Sequence, residues 1–386
     1  MDALPIIAGL LFEASLSMPS PSLSFMLNQL TGLLIGLLFL HRIITYNAAL
    51  NRLAHSLKIG RAVSQLPARL HAPWTRTFAT TRTIFKAESA PPPTQSISPL
   101  APIGVNAALR ASSDPKFIPR PKIFDEFSLK DRVGIVTGGN RGLGLEMALA
   151  LCEAGARAIY CLDIASEPSE EWRSTQEYVK RMENGSRLVY VNTDVRDQKG
   201  MWEKVKDIGD KEGRMDVCVA CAGIVKQPSD CLELPAEDFK EVLDVNLNGV
   251  LFTAQAAGRQ MVRFGNPGSI VLVSSIAGSV ALRGDLVIAY NTSKSGLLQM
   301  ARSMACELGS KNIRVNTLSP GYILTPLVAA YMGTNTHVID RWSGMNPMGR
   351  IGRPDELRGV ITWLASDASS FCTGSDILVS GGHQSW

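Results

Sequence analysis

From Phe127 onward, short apolar runs alternate with helical patterns in strict βα order, and no other feature of the chain narrows its fold so far. Val133 to Thr137, Ala158 to Leu162, Leu188 to Val191, Val217 to Ala220, Ile270 to Val273, Val315 to Leu318 and Ile377 to Val379 each read as a short buried strand. Helical patterns lie between them, as in Leu143 to Ala154, Glu170 to Met182 and Asp197 to Lys211. Strands that are apolar on both faces must be covered on both faces, and crossover helices do this for a parallel sheet. The expected fold is therefore α/β, a doubly wound parallel sheet.

A glycine loop sits where such a sheet binds nucleotides, between the first strand and the first helix. Thr137-Gly138-Gly139-Asn140-Arg141-Gly142-Leu143-Gly144 follows Val133-Gly134-Ile135-Val136 directly. Gly138 permits the turn, Gly142 lets the backbone approach a pyrophosphate, and Gly144 allows close helix packing. Free amides at the helix N-terminus supply donors for the anion. Gly138, Asn140, Arg141, Gly142, Leu143 and Gly144 are thus candidate dinucleotide contacts in a Rossmann-like arrangement. Asp163 ends the second strand, 25 residues after Gly138, near the place where a carboxylate binds ribose hydroxyls and repels a 2′-phosphate.

Far downstream, Ala289-Tyr290-Asn291-Thr292-Ser293-Lys294-Ser295-Gly296 places a phenol and an ammonium four residues apart. On a helix the two share one face, and the positive charge favours the phenolate. The chain thus carries a candidate acid/base pair downstream of a nucleotide loop.

Composition separates the first 125 residues from the rest. Residues 1 to 120 hold eleven Lys or Arg and four Asp or Glu, and the remainder 28 and 31, so the overall +4 divides into +7 and −3. The domain from residue 126 is therefore not basic, which gives nucleic-acid binding no support. No charged residue lies between Glu13 and Arg42, and Phe25 to Leu40 is a candidate membrane segment, short and interrupted by Asn28, Gln29 and Thr31. Arg42 to Lys86 is rich in Arg, Ser and Thr and free of acidic residues, the composition of a mitochondrial transit peptide. The expected organisation is a targeting or hydrophobic leader over 1–86, a Pro/Ser-rich linker over 87–125 and a catalytic domain over 126–386, with mitochondrial localisation expected. Cytoplasmic residence, or anchoring through residues 25–40, is the alternative. Seven scattered cysteines suggest reduced thiols rather than a disulfide framework. Cys218-Val219-Ala220-Cys221 has metal-ligand spacing, but it lies in an apolar strand pattern with no second ligand pair, so no metal is expected.

Residues 126–386 resemble the short-chain dehydrogenase/reductase family over their whole length. The glycine loop, Asp194-Val195, Ala220-Cys221-Ala222-Gly223, Asn246, Ser275, the Tyr-x-x-x-Lys pair and Pro320-Gly321 arrive in the family's order. Two features depart from the pattern. Ala220-Cys221-Ala222-Gly223 stands for the usual Asn-Asn-Ala-Gly, and Ser275 lies fifteen residues before Tyr290, a longer spacing that is similar to fungal polyol and ketose members. Tyr160-Cys161-Leu162-Asp163 and Gly374-Ser375-Asp376-Ile377-Leu378-Val379 add a resemblance to oxidoreductases of the D-arabinitol 2-dehydrogenase type.

The resemblance implies roles. Tyr290 would exchange the substrate proton, Lys294 would lower its pKa together with the cofactor's positive ring, Ser275 would hydrogen-bond the substrate oxygen, and Asn246 would position a water that relays protons from Lys294. Asp194 and Val195 would flank the adenine, Ala222 and Gly223 would also contact the cofactor, and Ile323 and Thr325, after Pro320-Gly321, would touch the nicotinamide amide. Asp163 argues for NAD and the basic Arg141 for NADP; the carboxylate is the more direct obstacle, so NAD is expected with NADP as alternative. A homodimer or homotetramer is implied. The expected substrate is a polyol/ketose pair such as D-arabinitol/D-ribulose, with a 3-oxoacyl thioester reductase or a catalytically silent nucleotide-binding or membrane-tethered scaffold as alternatives. Residues 325 to 348, including Tyr331, His337, Trp342 and Met345, would form a lid that shapes the substrate pocket.

Overall fold

The computed structural model describes residues 102–325, 328–329 and 337–386. The chain divides into two units, Met1–Ser89 and Ala90–Trp386. All described residues belong to the second, so the candidate membrane segment and the transit-like stretch lie outside them. Among the described residues no helix is long and apolar enough to cross a membrane.

The described residues form a seven-stranded parallel sheet: β1 (Val133–Thr137), β2 (Ala158–Asp163), β3 (Arg187–Asn192), β4 (Val217–Ala220), β5 (Gly268–Val273), β6 (Ile313–Pro320) and β7 (Asp376–Val379), in the order β3-β2-β1-β4-β5-β6-β7. Every expected strand is present, and most run one or two residues longer than the apolar run that marked them. The longer helices are α1 (Gly104–Ser113), α2 (Gly142–Glu153), α3 (Glu170–Arg181), α4 (Gln198–Glu212), α5 (Ala236–Leu243), α6 (Gly249–Phe264), α7 (Ile288–Leu308), α8 (His337–Gly344) and α9 (Arg358–Ala365). Local sequence explains their ends. Ser169 and Asp197 cap α3 and α4 by accepting from Trp172 N and Gly200 N, and Gly213 and Gly265 adopt left-handed backbone at the C-termini of α4 and α6.

Strand alternation creates two cores. Val133 and Ile135 of β1, Cys218 and Ala220 of β4, and Ile270 and Leu272 of β5 point to one face, packing with Met201, Val205, Ala254, Ala257, Leu297 and Ala301 from α4, α6 and α7. Val136, Val217, Val219, Val271 and Val273 point to the other, against Met147, Leu151, Trp172, Ile361 and Leu364 from α2, α3 and α9. Each fully buried Leu, Ile or Met contributes roughly 2 kcal/mol through removal from water.

Beyond the last β1 residue the chain turns toward β2, whereas β4 begins the other half of the sheet on its opposite side. The carboxyl ends of β1 and β4 are therefore where the connections part, the position at which sheets of this kind open a crevice. Thr137 ties the two sides together, since its buried hydroxyl accepts from Cys221 N at 3.2 Å and Ala222 N at 3.3 Å. Thr137→Val keeps the shape and strands both amides, so it should lower stability by about 2 kcal/mol. A urea midpoint equal to the parent's would show that this link does not hold the crevice.

Candidate active site

The crevice is a cleft of about 410 Å³ running from Asp163 to Tyr290. At its floor, Gly138 has φ +66°, and a Cβ there would come within 2.9 Å of the Ala222 backbone. A Cβ on Gly144 would strike the Gly138 carbonyl, so α2 can start this close to β1 only with glycine at that position. Arg141 precedes α2 without a side-chain cap, which leaves the first amides of α2 free for an anion. Such a floor fits a dinucleotide pyrophosphate. Arg141, Gly142 and Leu143 all line the cleft there.

Asp163 stands at one wall, its Oδ2 accepting from Asn140 N at 3.1 Å. Asn140 does not line the cleft. Its side chain accepts from Ser169 N at 2.7 Å, and its carbonyl accepts from Ser169 Oγ at 2.7 Å, so it fastens the loop to the start of α3. Asp194 and Val195 form the neighbouring wall. The Asp194 carboxylate is clamped by Arg196, with contacts of 2.7 to 3.0 Å that hold it below the usual carboxylate range. Val195 packs on Gly249, where a Cβ would come within 2.7 Å of its Cγ2. Pro320, Gly321, Ile323 and Thr325 line the far side, with Ala222 and Gly223 between. Gly321 N donates to Val379 O at 2.9 Å, so the chain leaves β6 pinned against the end of β7.

Tyr290 and Lys294 occupy successive turns of α7, with the Lys294 Nζ 5.6 Å from the centre of the Tyr290 ring. The ammonium is buried and donates to Val273 O at 2.9 Å. Ser275 follows β5, its hydroxyl accepting from Ala277 N at 3.1 Å, and it lines the cleft together with Tyr290. Ser274 is turned away, donating to Lys294 O at 2.8 Å. The serine that faces the phenol is thus Ser275. Asn246 lies in a π-helical turn, Asp244–Asn248, and is fully buried. Its Oδ1 accepts from Ile224 N at 2.8 Å, and its Nδ2 donates to Ile224 O at 2.9 Å and Ser293 Oγ at 3.2 Å. Both amide hydrogens are committed to protein, and the side chain sits behind Gly223 rather than in the cleft.

The expectation that the Lys294 ammonium favours the phenolate is opposed by burial. Burial pushes the Tyr290 phenol above its ordinary range, and the neighbouring Ser275 hydroxyl draws it only partly back. Burial also pulls Lys294 down to about 8. Desolvation of two adjacent groups outweighs the attraction expected from spacing. Cys221, beside them, is a thiol held at about 11 by burial and therefore neutral.

A second, smaller chamber of about 110 Å³ opens on the other side of Tyr290 and Ser275. Val225, Ile276, Leu282, Val287, Val328 and Trp342 make most of its wall, with Asp285 and Tyr322 as its further polar members. Of the expected lid residues, Trp342 reaches this chamber, His337 is exposed on α8, Met345 offers its carbonyl to the Trp386 indole, and Tyr331 lies outside the described residues. Sequence reasoning missed Asp285, Tyr322 and Arg196. A lone acidic residue between Ser275 and Tyr290, and an aromatic directly after Gly321, were the available signals.

The Lys294 shift carries a testable sign. Between about pH 8 and pH 10.5 the unfolded chain keeps a proton on this lysine that the folded chain has released, so stability rises with pH across that window. Lys294→Met should abolish this increment, and the difference in unfolding free energy between parent and variant should grow in the parent's favour from pH 8 to pH 10. A difference that stays flat would mean the ammonium is not desolvated.

Comparison with known proteins agrees with this geometry. A family profile described as Enoyl-(Acyl carrier protein) reductase matches residues 138–384. The chain is similar to the short chain dehydrogenase/reductase notP' of Aspergillus versicolor, at 37% identity over 67% of this chain and 89% of the relative. It is also similar to D-arabinitol 2-dehydrogenase [ribulose-forming] of Candida tropicalis, at 33% over 68% and 96%, and to sorbose reductase sou1 of Schizosaccharomyces pombe, at 36% over 67% and 97%. Among solved structures, a gluconate 5-dehydrogenase from Burkholderia cenocepacia J2315 in complex with NADP and tartrate superposes with a TM-score of 0.62 at 29% identity, covering 68% of this chain and 99% of that one. With the glycine floor, the Ser275, Tyr290 and Lys294 cluster and these relatives in agreement, the chain belongs to the short-chain dehydrogenase/reductase family of NAD(P)-dependent oxidoreductases acting on alcohols and ketones.

Proposed function

We propose that this oxidoreductase interconverts a polyol and a ketose, of which D-arabinitol and D-ribulose are one such pair, with NAD as the preferred cofactor. The observation that carries the chemistry is the grouping of Ser275, Tyr290 and the buried Lys294 ammonium, with Ser275 and Tyr290 lining both the dinucleotide cleft and a small chamber. Two relatives named for polyol or ketose chemistry support the substrate class.

A bound nicotinamide ring supplies the acceptor or donor for hydride. The protein does the rest. Ser275 Oγ directs the substrate oxygen toward Tyr290 and offers a hydrogen bond to the charge that develops there. Tyr290 Oη takes the hydroxyl proton in oxidation and returns it to the carbonyl oxygen in reduction. Its raised pKa suits it to the protonated form, so reduction starts from the state that burial favours. Oxidation needs the added positive charge of the oxidised cofactor with Lys294 to release that proton. Asn246 holds the loop after β4 through Ile224, which keeps Gly223 beside Lys294, and we assign its water-positioning role to this neighbourhood. Asp163 would accept the ribose hydroxyls, and its charge opposes a 2′-phosphate. Arg141 makes no ion pair among the described residues and is the group that would favour NADP.

A second reading follows from the chamber wall. Its apolar side chains, with Asp285 already bonded to Tyr322 and Arg341, also suit a compact ketone with few hydroxyls. The same size disfavours the 3-oxoacyl thioester alternative. A screen of the full chain with pentitols, hexitols, ketoses, cyclic ketones and a 3-oxoacyl thioester, each with both cofactors, separates the readings. Turnover of pentitols with NAD is expected. Turnover confined to cyclic ketones would replace the polyol reading, and a wide preference for NADP would show that Arg141 outweighs Asp163.

Tyr290→Phe removes the transferable proton while keeping the ring. Turnover should fall at least about 100-fold with dinucleotide affinity retained. A variant with near parental turnover would rule out the phenol as the proton donor.

A further inference from the structure

The small chamber has a roof, and its attachment uses residues outside the catalytic set. Trp342 of α8 is buried and stacks on Tyr322, with ring centres 4.3 Å apart and planes 12° from parallel. Both rings line the chamber. Immediately before Trp342, Arg341 reaches the loop that precedes α7. There its guanidinium pairs with the Asp285 carboxylate and donates to Gly284 O at 3.4 Å. Asp285 also accepts from the Tyr322 hydroxyl at 3.1 Å. One carboxylate thus holds both halves of the aromatic stack, Tyr322 directly and Trp342 through its neighbour Arg341.

The electrostatics make this attachment consequential. The Asp285 side chain is only 3% exposed, whereas Arg341 is 39% exposed. A carboxylate this deep beside an apolar chamber is tolerated because the guanidinium and the phenol satisfy it, and removing the guanidinium leaves the charge poorly compensated. Among the described residues, this is the ion pair that joins α8 to another segment. Gly284, with φ +82°, turns the loop so that its carbonyl and Asp285 face the same guanidinium. The alternative, an incidental surface pair, does not place a carboxylate inside a pocket wall.

We propose that Asp285 and Arg341 form a latch that sets α8, and with it Trp342, as the roof of the substrate chamber, making the pair positioning residues for substrate binding. The inference rests on the assignment of this chamber to substrate. Asp285, Tyr322, Arg341 and Trp342 do not line the dinucleotide cleft, so loss of the latch acts on substrate affinity and leaves the dinucleotide floor alone.

The test is amide hydrogen exchange on the full chain, comparing the parent with Arg341→Met, Asp285→Asn and the double variant, which leaves no unpaired charge and guards against misfolding. Exchange over 337–344 should quicken about tenfold in each variant, with the double no faster than the singles and β5 and α7 unchanged. Parental exchange over 337–344 in the double variant would overturn the latch. With D-arabinitol and NAD, Arg341→Met should raise KM about tenfold with kcat within about threefold, and Arg341→Lys should recover part of the loss. Quickened exchange with unchanged KM would overturn the positioning role. Should the parent fail to oxidise D-arabinitol, that substrate pair falls, the KM comparison is made with the polyol or ketone that the screen identifies, and the exchange result still decides the latch.

Discussion

The parting of connections between β1 and β4 governs everything else in this domain. With the order β3-β2-β1-β4-β5-β6-β7, the chain leaves β1 for one half of the sheet and enters the other half at β4, and no crossover helix can cover the carboxyl ends at that point. The fold must leave a crevice there. Close packing then sets its shape, because Gly144 lets α2 begin against the Gly138 carbonyl and Thr137 holds the start of the loop after β4. The crevice therefore has a rigid floor of backbone groups, suited to a ligand whose charge lies along its middle.

Chemistry enters where the same sheet buries charge. Lys294 is taken out of water against Val273 O, and its neighbour Tyr290 is desolvated with it, so both side chains are displaced toward their neutral forms. That is costly in the absence of ligand and useful in its presence. A positive ring brought into the cleft would strengthen every interaction with the phenol in a poorly solvated site, where electrostatic effects are larger than in water. Burial favours the protonated phenol at Tyr290, and a positively charged ring bound beside it would favour proton release.

Much of this was legible in the sequence. Strands buried on both faces write continuous apolar runs, which is why β1 and β4 were placed to the residue, and the glycine loop is recognisable because each glycine answers a local steric demand. The candidate residues from Gly138 to Thr325 converge on one cleft, apart from Asn140 and Asn246, which stand behind its wall. Their bracing contacts were not legible in the sequence, because an amide can line a site or brace it, and only tertiary packing onto Ser169 or Ile224 shows the contact. The opposing desolvation of Tyr290 was not legible, because i,i+4 spacing reports proximity and says nothing of burial. The Asp285, Tyr322 and Arg341 cluster joins three separated segments, so no local pattern carried it.

The central claim is that the crevice performs direct hydride transfer between a dinucleotide and a carbinol carbon beside Tyr290. The most direct test supplies NADH deuterated at the transferable C4 position, with ketoses and compact ketones as acceptors, and follows the label by mass spectrometry. Deuterium is expected on the carbinol carbon of the product alcohol. Bound NADH that yields no labelled alcohol from any of these acceptors would contradict it.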